Sequence, residues 1–452
     1  MKETPQIIIR GRKTQDSTPV DFPFSASQVR AIPDDQYIND LRQEAWKISK
    51  ELPIPTVRDE AWRRTELKGL QAESFRFPIS NQYLDLAEIP GELLKPLTAE
   101  AHGGQVILRP GGVTVELNQD FERKGVVFTD LQSAEKDHPE LLAKIIGQIV
   151  KPSEGKFAAL ATALAQNGVL LYVPRNVVIE QPLHSLLWGP GDGLAFFSHI
   201  IVYLEEGASA TYVHEAASPD EEKQALHAGV VEVYVGPDAN LRFVELQSWG
   251  EHVWNFSHER ARVDRSGHID WIFGAIGSHL TKNFSDLELA GEGSTGRMSG
   301  FYFTDHDQHL DHDTQQNHLA PHTTSDLLFK GALLDKSRSV WQGMIYVAPG
   351  AQKTDGYQAN RNLVLSHTAR ADSIPGLEIL ADDVRCTHGA TVGQIDEDQV
   401  FYLMARGIPR LMAEQLVVEG FFDPIMQRIP FDGVRERFQQ AIHQKMLSFT
   451  GK

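Results

Sequence analysis

The sequence predicts a mainly β chain with helical ends, its centre a parallel β-helix in which short strands wind into stacked coils. Three observations carry this. β-Branched and aromatic runs such as GVLLYVP, VVEVYVG and DWIFGAIG fill the stretch from Gly104 to Thr391, each closed by Gly, Pro, Asp or Asn. Turn clusters at Gly207, Pro237, Gly267 and Gly293 recur about 26 to 30 residues apart, each between strand-like pairs. Helical periodicity returns at both ends. A sandwich or simple barrel normally closes within about 250 residues and shows no such spacing. The expected parts are a helical region over 1–100, a β-solenoid over 101–393 and a helical region over 394–452.

Taken in order, Asp34 and Asp35 supply negative charge at a helix start, followed by Ile38, Leu41, Ala45, Ile48 and Leu52 at helical spacing, until Pro53 and Pro55 stop the helix. A second helix is expected from Thr56 to Leu70, with Thr56 as its cap. Inside the β region, FAALATALAQN (Phe157 to Asn167) favours a short helix ended by Gly168. Beyond Gly393, Asp396 caps DEDQVFYLMAR and Gly407 ends it; a second helix starts at Pro409 and runs to about Phe422. A third places Phe431, Val434, Phe438, Ile442 and Phe449 on one side. These terminal helices are expected to cap the exposed coil edges.

Composition excludes several classes of function. Against 43 Lys and Arg stand 61 Asp and Glu, a net charge of −18 that repels nucleic acid and anionic membrane surfaces. The longest apolar stretch, Leu194 to Leu204, is about half a membrane span and is interrupted by Ser198 and His199. The segment MKETPQIIIRGRK offers no secretory h-region, so a cytoplasmic location is expected. One cysteine, Cys386, excludes an intramolecular disulfide and a self-contained four-thiolate cluster site.

Three motifs bear on chemistry. Gly291-Glu-Gly293-Ser-Thr-Gly296 fits a dinucleotide fingerprint, but the strand-like RMSGFYF follows it, so it reads as a turn; no Walker A motif occurs. His306, His309, His312, His318 and His322 lie among Asp305, Asp307, Asp311 and Asp313, a set of ligand types suited to zinc or iron. On a strand, His306 and His312 fall on one face and His309 on the other, so they do not converge simply. Cys386 and His388 are two apart and share a strand face, which supplies half of a tetrahedral metal site. A second chain would complete it, making an interface the natural location.

The segments VAPGAQKTDGYQANRNLVLS, EILADDVRCTHGATVGQIDEDQVFYLMARGI, HLDHDT and KGALLD resemble the SUF-type iron–sulfur cluster assembly scaffold family (SufB/SufD), most closely its SufD branch. The resemblance runs from Thr56–Leu70 to the C-terminal helices and is densest from Val347 to Ile408. It implies a right-handed β-helix between helical parts, pairing with a SufB-like subunit through the β-helices, and docking of a SufC-like ABC-type ATPase on the C-terminal helices. It implies a scaffold without catalysis of its own, holding no stable cofactor alone and taking part in a transient iron–sulfur cluster at the SufB interface. A homodimer is the other pairing. By motif match His388 corresponds to the family's interface histidine, and Cys386 to the position of a SufB cysteine; both are candidate ligands of the nascent cluster. The alternative is a β-helical enzyme, a polysaccharide lyase or metal-dependent hydrolase, using the stretch from His306 to His322.

Overall fold

The computed structural model describes residues 21–33, 35–78, 88–94, 102–110, 112–165, 167–429 and 431–450. One sheet contains β1 (Gly104–Arg109), β2 (Gly112–Leu117), β5 (Leu183–Trp188), β7 (Ser209–Ala217), β9 (Asn240–Ser248), β11 (His268–Ala275), β13 (Thr295–Thr304), β15 (Thr324–Leu333), β17 (Asp355–Val364) and β19 (Arg385–Gln394). The other contains β3 (Val127–Asp130), β4 (Asn167–Val173), β6 (Ala195–Leu204), β8 (Ala225–Val235), β10 (Val253–Val263), β12 (Leu280–Leu289), β14 (His309–His318), β16 (Arg338–Val347) and β18 (Arg370–Ile379). From β4 onward successive strands alternate between the sheets, and each pairs in parallel with the strand two places on. This is the β-solenoid that the turn spacing predicts.

The period has a visible cause at one corner. Asn176, Gly207, Asp238, Ser266, Gly293, His322 and Lys353 all take left-handed backbone conformations. Each donates its N–H to a carbonyl of the next coil's corner, as Gly207 does to Pro237 and Ser266 to Glu292, both at 2.9 Å. Stacked turns thus satisfy backbone groups that the strands leave over. Gly291 has a steric role here: an added Cβ would come 1.9 Å from the Arg265 nitrogen, so the G-x-G-x-x-G segment is a corner of close coil contact.

Helices lie on both outer faces. They are α1 (Gln36–Glu51), α2 (Gly91–Leu94), α3 (Gln119–Arg123), α4 (Leu131–Asp137), α5 (Pro139–Ala143), α6 (Lys156–Leu164), α7 (Glu397–Met404), α8 (Arg410–Met426) and α9 (Asp432–Thr450). Asp35 caps α1 by accepting the Ile38 N–H, as its position predicts; Asp34 lies outside the described residues. Every residue of α6 is buried, and Phe157 stacks on Phe256 with ring centres 3.7 Å apart. The helix stops at Leu164; Gly168 belongs to β4, where a Cβ would meet the His199 carbonyl, so it serves strand packing and not a helix cap.

Two further expectations are corrected. Over Thr56 to Leu70 only a single 3-10 turn forms, Glu60–Trp62. Tertiary anchors override local propensity there: Trp62 inserts among Phe157, Phe256 and Phe284, while Thr65 Oγ1 is held by His309 and Asp311. The C-terminal helices do not cap the last coil. Val418, Phe422, Ile425, Val434, Phe438 and Ile442 instead pack on Val213, Val244, Ile272, Phe301 and Phe303 of the ten-stranded sheet's outer face. The apolar outward residues of that sheet need a cover, and α8 and α9 supply it.

Candidate functional site at the open end of the solenoid

Because the helices lie alongside, the last coil is left uncovered among the described residues. Among the described residues β19 and β18 are the edge strands of their sheets, each 10 residues long, and each has a partner on one side only. Leu377, Ile379, Leu380 and Val392 at this end are all more than a third exposed. Long flat edges with exposed apolar side chains are templates for pairing with another chain.

Register fixes what faces inward here. Gly356 and Gln358 of β17 stand opposite Cys386 and His388 of β19. The missing side chain at Gly356 makes room for the thiol: a Cβ there would lie 3.3 Å from both Cys386 Sγ and His318 Nε2. Cys386 packs beside Ile345, Val347 and Ala351. Burial pushes its thiol above the usual range, partly opposed by the Gly356 N–H and reinforced by the charge of Asp355. It is a protonated thiol at neutral pH, a weak nucleophile until a metal or base takes the proton. His388 is exposed and makes no hydrogen bond among the described residues. Beneath it Gln358 donates to the carbonyls of Gly343 and Gly376, at 3.3 and 2.9 Å. The imidazole therefore has both nitrogens available to a partner.

Behind this pair the interior is polar. Tyr302 donates to Asn362 at 2.6 Å, and Asn362 donates to Asn360 at 2.7 Å and to Ser373 at 3.1 Å. His318 bonds Thr323 and Ser325, both at 2.8 Å. This network escaped the sequence reading, although alternation along QANRN places Gln358, Asn360 and Asn362 on one face.

The five-histidine stretch does not form one site. His306 and His322 sit at solenoid corners, with φ of 50° and 60°. His309 points out of β14 to Thr65 Oγ1 at 2.8 Å. His312 points inward among Phe273, Tyr302 and Phe329, and burial lowers it to about 3. His318 is lowered to about 4 by burial. Asp311 is taken by the buried Lys282 at 3.0 Å, and Asp313 lies 3.6 Å from the same ammonium. Corner, outward and inward positions keep these histidines apart, so a lyase or hydrolase could not use them together.

A second surface lies between α7 and α8. Leu363, Tyr402, Leu403, Leu416, Val417 and Phe421 line a groove of about 890 Å³. Phe401, Tyr402 and Met412 stand out beside it, 70%, 56% and 56% exposed. Such a cluster marks a contact surface. Among the described residues no helix is long and apolar enough to cross a membrane.

Comparison with known proteins agrees with this architecture. The family model described as "SUF system FeS cluster assembly, SufBD core domain" matches residues 187–421, and that of the "SufBD protein N-terminal region" matches residues 26–184. Iron–sulfur cluster assembly SufBD family proteins of Staphylococcus epidermidis, Staphylococcus haemolyticus and Staphylococcus aureus (strain USA300) are each 30% identical over 319 residues, covering 70% of this chain and 68% of theirs. The chain belongs to the SufBD family of iron–sulfur cluster assembly proteins.

Proposed function

We propose that this chain is a SufD-type scaffold subunit of the cytoplasm, without catalysis of its own, which pairs with a SufB-like subunit and docks a SufC-like ABC-type ATPase. The observation that carries the reading is the double open edge of β18 and β19 with Cys386 and His388 on its inward face. Pairing there satisfies the unpaired backbone groups and buries the exposed apolar residues in one step. It also sets an unpartnered imidazole beside groups of the other chain. The nascent iron–sulfur cluster is the cargo of this interface. His388 supplies a neutral nitrogen that can ligate iron or move a proton, while the thiolates come from the partner, because Cys386 is a single, protonated thiol.

The groove of α7 and α8, with Phe401, Tyr402 and Met412, is the docking surface for the ATPase. Nucleotide-driven movement would reach the solenoid through α8 and α9, tied to it by Arg428 of their connecting turn to Asp326 and, from α9, by Arg437 to Glu215 and Lys445 to Asp305. The test is co-purification of the chain with SufB-like and SufC-like proteins, followed by anaerobic iron and sulfide analysis. A complex of all three that accumulates iron and sulfide supports the reading. A chain that stays monomeric, or pairs only with itself, rejects it.

A further inference from the structure

The corner opposite the stacked turns carries chemistry that neither surface uses. Successive coils bring Glu221, Glu251, His279 and His306 to one pocket of about 600 Å³, which His252 and Trp254 also line. His306 takes a left-handed backbone conformation, with φ 50°, and its ring reaches Glu251 of a preceding coil. Its Nδ1 is 2.7 Å from Glu251 Oε1 and 3.9 Å from Asp305 Oδ2. One ligand atom each from Glu251, Asp305 and His306 lies within 4.8 Å of the other two. Ligands bound at about 2.1 Å stand roughly 3.4 Å apart in a tetrahedral shell, so a small rotation of the half-exposed Glu251 closes the set.

A separate observation points into the same pocket. His252 is 9% exposed, and its Nδ1 accepts the Glu221 N–H at 3.3 Å, which leaves the proton of the neutral ring on Nε2. Among the described residues that Nε2 has no partner, and neither has Nε1 of Trp254, which is 1% exposed. Two buried N–H donors in the wall of one pocket are thus left without an acceptor. Water or hydroxide on a metal ion is such an acceptor, and outer donors of this kind are what metal sites use to hold their open position.

We propose that Glu251, Asp305 and His306 form a mononuclear site for a first-row divalent transition cation of the zinc type, its remaining positions taken by water. Imidazole with two carboxylates favours such an ion over magnesium or calcium, which take all-oxygen shells. Lys445 of α9 touches the other Asp305 oxygen and lies 3.0 Å from Gln308 Oε1, so it competes with the ion for the same carboxylate. Occupancy and the seating of α9 are therefore linked.

The test is titration of the purified full-length chain, stripped with a chelator, using Co²⁺ followed by its visible absorption, then Zn²⁺ in competition and Mg²⁺ in a parallel calorimetric titration. One Co²⁺ per chain, displaced by Zn²⁺ and matched by no saturable Mg²⁺ uptake, is expected. His306→Ala and Glu251→Ala should weaken it at least about tenfold and His252→Phe about tenfold, while Lys445→Gln should tighten it. Circular dichroism and melting curves on each variant establish that the fold is retained, and the opposite sign at Lys445 guards against a general loss of structure. No stoichiometric Co²⁺ binding, equal binding of Mg²⁺, or wild-type affinity in His306→Ala would overturn the proposal.

Discussion

Replacing Phe438 by Ala tests whether α8 and α9 are a separable layer on the solenoid. Phe438 is 3% exposed, with its ring centre 4.2 Å from Phe301 on the sheet and 5.0 Å from Phe422 on α8. It therefore joins three elements at once. Truncating a buried Phe costs about 3–5 kcal/mol, including the cavity left behind. The strand ladders of β13 and β15 do not depend on this ring, so the loss should fall on helix docking. At about 1.4 kcal/mol per decade, amides of α8 and α9 should exchange with deuterium roughly 100-fold faster or more. Amides of β10, β12 and β14 should keep their rates. Native hydrogen exchange read by mass spectrometry resolves the two groups. Equal acceleration in helices and strands would show one cooperative unit and refute the separable layer; unchanged exchange in α8 and α9 would refute the packing argument.

Two other predictions concern titration and cargo. Burial, with help from the charge of Arg361, pushes the Lys330 ammonium down to about 8, so between there and its ordinary value of 10.5 the unfolded chain binds more protons than the folded one. Stability should therefore rise with pH through that window relative to Lys330→Met, in paired melting curves; a relative fall would show that the folded state favours the charged form. In the three-subunit complex, His388→Ala should lower cluster yield by about tenfold, the scale for losing a group around a metal, with size-exclusion profile and ATPase rate unchanged. Cys386→Ala should do less, and yield lost only in proportion to lost assembly would make His388 structural.

The repeat was legible in the sequence because its cause is local. Gly207, the Pro237 turn and Gly293 mark corners that must adopt left-handed backbone, and the register of the sheets follows from their spacing. α1, α7 and α8 were legible for a similar reason: Asp35, Asp396, Gly407 and Pro409 are cap and boundary residues, while α9 showed in the one-sided spacing of Val434, Phe438 and Ile442. Where α8 and α9 dock was not legible, since an apolar helix face states that it is buried but not against what. The segment around Trp62 failed because its partners Phe157, Phe256 and Phe284 are remote in sequence. Alternation alone put Cys386 and His388 on one face, yet nothing near them in the chain indicated that their coil would be the open one. Glu251 was missed because it meets His306 only through coil stacking.

Edge pairing of β18 and β19 with the SufB-like subunit is the central claim, and amide exchange at these two strands tests it most directly. Both should exchange quickly in the chain alone and slow by about 100-fold or more once the partner is bound, because an open ladder becomes an internal one. Unchanged exchange along both strands, in a complex whose mass shows that the partner is present, would contradict it.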